Sequence, residues 1–253
     1  MKLSRLTSMI LVFALCFNLF ASAAFAKTSR SALVSSVSGD VTVTKGGGSN
    51  PIPAYEGMPL NEGDTINTGS DGNVVVKIAD PESERTIVPN STITISELTD
   101  SAEGKKNGFK VWVGSMWNKV KSLATGNEDE VETPTATMGV RGTTYLVVSN
   151  PDGTLSVVVA SGLVAAKVTG TQKLVGSDTT ATPDPATQIQ KSDSQTNSQT
   201  VLLAPTQQIN LNPAAPPSNL INAVNIVDVS TIVKQADPAI IKAFIIDAPV
   251  IAE

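Results

Sequence analysis

The residues that could do chemistry in this sequence are few and widely spaced. Two tryptophans, Trp112 and Trp117, with Tyr55 and Tyr145, make up most of the aromatic side chains beyond residue 26. An exposed indole can stack on a sugar ring, whereas a buried one fills a core. Alternation along "FKVWV" puts Phe109, Val111 and Val113 on one side of a strand, and Trp112 with Lys110 on the other. Packing in the core or at its rim is the ordinary fate of such residues. Trp112, Tyr55 and Tyr145 are the set to test as ligand-binding residues, with Trp112 at an edge or groove.

Arg141 stands in "TPTATMGVRGTTYLVV", Thr133 to Val148, close to two glycines. A guanidinium there could clamp a carboxylate or a phosphate. Alternatively, Gly139 and Gly142 let a strand bend, and Arg141 bonds carbonyls or a carboxylate at that corner. The structural role is expected, with Gly139, Arg141, Gly142 and Thr143 as one motif of the fold.

Carboxylates such as Asp64 and Asp80 raise glycoside hydrolysis, which needs two acids to converge. Nothing in the sequence makes these converge. "NEDEVE", Asn127 to Glu132, is the densest acidic run. It lacks the spacing of a calcium loop. The nearest trial, Asn67 to Ile78, has Gly69 and an apolar last residue where acids are required. The run is expected to be a solvated loop.

Composition removes other chemistries. The chain has no histidine and one cysteine, Cys16. There is no Ser-His-Asp or Cys-His arrangement, no Cys/His zinc site, no Walker loop and no G-x-G-x-x-G turn. The acidic balance, with no basic cluster, argues against nucleic acid. The expectation is a protein that is not an enzyme, with no catalytic residue, metal or cofactor.

These residues need a scaffold, and the sequence outlines one. The first 26 residues carry Lys2 and Arg5, then an apolar run, then Ala24-Phe25-Ala26. That order reads as a secretory signal peptide, with an uncleaved anchor as the competing reading. Cleavage would remove two cations and no acid, taking the net charge from -5 to -7. Four of the six phenylalanines would go with it, leaving Phe109 and Phe244. The mature chain would hold no cysteine, so burial of Val, Ile, Leu and Ala must stabilise it.

From Ala32 to about Lys167 short alternating runs alternate with turns such as Ser70-Asp71-Gly72-Asn73 and Asn150-Pro151-Asp152-Gly153. Residues 170–200 are rich in Ser, Thr, Gln, Asp and Pro and read as a flexible polar insertion. "VLLAPTQQINL" returns as strand. Residues 212–219 are a proline-rich linker. Residues 220–253 form a helical tail. There Asp228 caps one helix, and Asp237-Pro238 opens another with Ile240, Ile241, Phe244 and Ile245 on one face. Charged residues interrupt that tail, so it is no membrane span. The tail is expected to pack on its own β domain. The fold class is all-β: a sandwich, jelly roll or short coil of strands, with a short helical tail.

"SGDVTV", "EGMPLNEGDTINTGSDGNVVVKI", "VPNSTITI", "VWVGSMWNKV" and "TPTATMGVRGTTYLV" occur in one order. Together they resemble the FecR domain, an extracytoplasmic β module, over Leu33 to Lys167 and as far as Leu211 with the returning strand. The domain boundary implied is 33–211. The best-known relatives are inner-membrane regulators of Gram-negative bacteria that pass a signal from an iron-siderophore receptor to a cytoplasmic sigma factor. That route needs a cytoplasmic N-terminal portion, and only "MKLSR" precedes the apolar segment here. The resemblance implies a secreted or extracytoplasmic module of the cell envelope, binding or scaffolding without catalysis. Its partner would be an envelope polysaccharide or protein. A sensory component that relays through a separate membrane protein is the alternative, and a glycan hydrolase the third.

Overall fold

The computed structural model describes residues 27–168, 189–191, 199–214, 220–234 and 238–240. Residues 1–26, most of the polar insertion, residues 215–219 of the linker, and Asp237, Ile241, Phe244 and Ile245 lie outside the described residues. What is described is almost all strand, in two layers. The front sheet runs β4 (Pro51–Pro53), β3 (Val41–Thr44), β6 (Thr65–Thr68), β9 (Thr92–Ser101), β10 (Gly104–Val120), β11 (Glu128–Glu132), β12 (Ala136–Val140), β15 (Val164–Val168), β17 (Gln199–Leu203) and β16 (Ile189–Lys191). A two-residue strand, β1 (Thr28–Ser29), pairs the far end of β9. The back sheet runs β5 (Pro59–Leu60), β2 (Ala32–Ser38), β7 (Asn73–Ala79), β8 (Glu82–Ile87), β10 again, β13 (Thr144–Ser149), β14 (Leu155–Ser161), β18 (Gln207–Leu211) and β19 (Val224–Ile226). All of these ladders are antiparallel except β10 with β11.

β10 belongs to both layers. Its first half pairs β9 and β11, and its second half pairs β8 and β13. The change of layer falls at Gly114, whose φ is 103°. A Cβ there would lie 2.1 Å from Ser91 Oγ and 2.5 Å from Ser91 Cα, so only glycine allows the corner. The two layers are therefore one mixed sheet folded on itself, with its edges at β4, β16, β5 and β19.

The alternation read from the sequence fills the interior. Val43, Ile66, Ile93, Ile95 and Phe109 from the front meet Val34, Val76, Met116, Val147 and Val157 from the back, all buried. Each fully buried Val, Ile or Phe contributes about 1.5–3 kcal/mol relative to exposure. Part of the back sheet's outer face is buried as well. Val88, Trp117, Leu146 and Val158 pack beneath Val229 and Ile240 of the tail. Asp228 starts the tail helix α1 (Val229–Lys234): its carboxylate accepts from Ser230 N at 2.9 Å and from Thr231 Oγ1 at 2.8 Å. No helix among the described residues is long and apolar enough to cross a membrane.

One expectation is overturned by the strand order. "NEDEVE" is not a solvated loop, because Glu128–Glu132 forms β11 at the centre of the front sheet. Alternation turns Asp129 and Val131 inward, and Glu128, Glu130 and Glu132 outward. The inward charge is tolerated because Arg85 reaches it from the opposite layer, its Nη2 donating to both Asp129 oxygens at 2.5 and 2.6 Å.

Candidate functional site

Unlike the tail-covered part of the back sheet, the front sheet leaves its outer face polar. Successive cross-strand partners on that face are Thr44, Thr65, Thr94, Lys110, Glu132, Thr137, Lys167 and Thr200. Each of these side chains can donate or accept a hydrogen bond. Thr65 and Thr94 bond through their hydroxyls at 2.9 Å, and Thr92 donates to Asn67 Oδ1 at 3.0 Å.

Trp112 stands in the middle of this face. In the pairing of β10 with β9, Val111 faces Ile93 and Val113 faces Thr92, so Trp112 is the extra residue of a β-bulge. A bulge re-aims a side chain, and here it sets a 47% exposed indole above a polar sheet. Its Nε1–H donates to Thr94 Oγ1 at 3.0 Å, and the Lys110 ammonium lies 4.3 Å from the ring centroid. Lys110 is itself 3.0 Å from Glu132. The ring is thus held on one side and open to solvent, which is the arrangement an aromatic stacking platform needs.

Charges on this face are sorted by strand. Lys106 and Lys110 on β10 pair with Glu128 and Glu132 on β11. Glu130 lies between them with glycine on either side, Gly108 on β10 and Gly139 on β12. Partial burial, then the neighbouring Glu128 and Glu132, push its carboxyl above the usual range.

The other sequence candidates do not join Trp112. Tyr55 is 57% exposed but lies in the link from β4 to β5, and β3, β6 and β9 separate β4 from β10. Tyr145 is corrected outright. It is fully buried on the inner face of β13, and its neighbour Leu146 on the other side lies under the tail, so neither ring nor neighbour reaches solvent. Burial pushes its phenol far up. The motif around Arg141 is also redistributed. Arg141 is exposed, and its side chain has no hydrogen bond or ion pair among the described residues. The corner is held instead by Thr143, whose hydroxyl donates to Leu163 O at 2.8 Å and accepts from Leu163 N at 3.2 Å. Gly139 has open space where a Cβ would be, and Gly142 turns the chain at φ 62°. Asp64, one of the trial acids, is buried and accepts from Lys45 Nζ, Gly46 N and Asn61 N at 2.8, 2.8 and 2.9 Å.

Sequence reasoning missed the buried polar cluster. Asn107 Nδ2 donates to Asp129 Oδ2 at 3.1 Å, and Arg30 reaches Asn107, Asp80 O, Thr99 O and Lys106 O. Arg85 also lies over the Phe109 ring, 5.1 Å from its centroid. The available signal was the parity of Asp129 with Val131.

Residues 64–165 match the family model described as FecR protein. This stretch is a FecR domain. The matched residues include Trp112, Lys110, the Arg85–Asp129 pair and the Thr143 corner, whereas Tyr55 precedes them. No curated protein matches the chain. Three chains of solved structures do. Two are crystal structures, at 2.50 and 1.65 Å resolution, of a candidate anti-sigma factor from Parabacteroides distasonis ATCC 8503. Each is 13% identical with a TM-score of 0.46, over 66% of this chain and 62% of that one. The chain thus spans under two thirds of that relative.

Proposed function

We propose that this FecR-domain protein is a non-catalytic recognition module outside the cytoplasm, at the cell envelope, and that its front face takes a glycan. The observation that carries the reading is Trp112. It is a large exposed aromatic, fixed by a bulge, a hydrogen bond and a cation above a row of hydroxyl-bearing side chains. Sugar rings offer an apolar face to an indole and hydroxyls to Thr, Asn, Lys and Glu. The extracytoplasmic setting rests on the signal-like residues 1–26 and on the family resemblance. The test is a pull-down of the purified protein with cell-wall and capsular polysaccharides. Wild type is retained and Trp112→Ala is lost, with an unchanged circular dichroism spectrum. Equal retention of both proteins would remove the reading.

The family match supports a second reading, a sensory component that relays envelope state through a separate membrane protein. In that case the tail on the back sheet is the contact to lose. Deletion from Asp228 onward then abolishes a transcriptional response while glycan retention is unchanged.

A further inference from the structure

The inner face of the back sheet carries polar atoms that no described residue satisfies. Arg85 on β8, Asn118 on β10 and Tyr145 on β13 are successive cross-strand partners, and all are fully buried. Arg85 uses Nη2 on Asp129 and Nη1 on Glu84 O, at 3.3 Å, which leaves its Nε–H without an acceptor. Asn118 uses Nδ2 on Met116 O at 3.0 Å, which leaves Oδ1 without a donor. The Tyr145 hydroxyl, next in the row, is also unpartnered. A buried donor and a buried acceptor on adjacent strands, neither bonded, are costly unless something joins them.

The chemistry of the two atoms selects the joining group. A cation would be repelled by Arg85. An anion would compete with Asp129, which already neutralises that guanidinium. An apolar guest would leave both atoms unmet. Water accepts from N–H and donates to C=O at once, and buried waters make about three such bonds, so the Tyr145 hydroxyl completes the set. A further unpartnered polar group lies between this point and the surface. Ser83 lies two residues before Arg85 on the same inward side, and its buried hydroxyl is unpartnered as well. It lines a surface groove with Leu33, Lys77, Ile78 and Lys121.

We propose that the sandwich holds an internal water site in which water bridges Arg85 Nε to Asn118 Oδ1, with entry from the groove past Ser83. The bridge fixes the guanidinium that Asp129 accepts from. Two measurements test it. A crystal structure of the wild-type protein, at a resolution that shows ordered solvent, is expected to place a water within hydrogen-bonding distance of both atoms. Oxygen-17 relaxation dispersion is expected to show long-lived internal water, with one molecule's contribution lost in Asn118→Leu. An empty map with Arg85 Nε and Asn118 Oδ1 bonded elsewhere overturns the proposal. So does an unchanged dispersion amplitude in a folded Asn118→Leu. If that variant does not fold, the wild-type map alone decides.

Discussion

Arg85 and Asp129 meet across the interior from opposite layers, both fully buried, with one guanidinium nitrogen serving both carboxylate oxygens. The pair fixes how the layers sit, because Asp129 also accepts from Asn107 and Asn107 from Arg30. Removing one partner leaves a buried charge alone. Asp129→Ala should cost about 3–5 kcal/mol in urea unfolding, and Arg85→Met in the Asp129→Ala background should recover much of it. A loss under 1 kcal/mol in Asp129→Ala would mean that the pair does not hold the two layers together.

The corner near residue 142 gives a contrast between side chain and backbone. Arg141→Ala should change stability by no more than about 0.5 kcal/mol, as for an ordinary surface residue. Gly162→Ala should cost about 2 kcal/mol or more, because a left-handed backbone is added to a steric clash. Its φ is 79°, and the new Cβ would lie 2.3 Å from Gly142 O. Thermal melts of the two variants, side by side, check the assignment.

Glu130 carries a pH prediction. Its folded-state carboxyl is raised, by partial burial first and then by Glu128 and Glu132. The native state therefore holds this proton more tightly than the unfolded chain does. Stability from this group is present below the unfolded pKa and is lost as pH rises through the folded value. Glu130→Gln should accordingly be more stable than wild type at neutral pH, and the difference should vanish in acid. The gain should stay below about 1 kcal/mol, since the carboxylate is largely solvated. A destabilised Glu130→Gln at pH 7 would show that the ionised form has a partner.

Removing the tail tests the back face. Deletion from Asp228 onward uncovers Trp117, Leu146, Val158 and Val88. Tryptophan emission should shift to the red and a hydrophobic dye should bind, because a contiguous apolar patch meets water. Trp112→Phe in the same background isolates the Trp117 signal. An unshifted spectrum would mean that the β sandwich closes over its own face.

Much of this was legible from local pattern. Val74 to Ile78 is a run of β-formers bounded by turn residues, and it lies in β7. Pro89-Asn90 separates two β runs, and Asn90 takes the left-handed turn between β8 and β9. Gly114 interrupts the alternation of β10, and the strand changes layer there. What was not legible depends on distant partners. An acid such as Asp129 reads as solvated unless its cation is known, and Arg85 is 44 residues away. Tyr145 reads as a surface candidate until the tail buries the far side of its strand. Thr143, with no charge or ring to mark it, holds a corner that the sequence assigns to its more conspicuous neighbour Arg141.

The continuity of β10 has a mechanical consequence. A sandwich whose layers are joined only by loops can be parted like two sheets of paper. Here one rod of backbone is stitched into both layers, so a load that peels either one is carried into the other. Stretched between its ends in a single-molecule experiment, the module should yield in one force peak, with no step for a half-opened form.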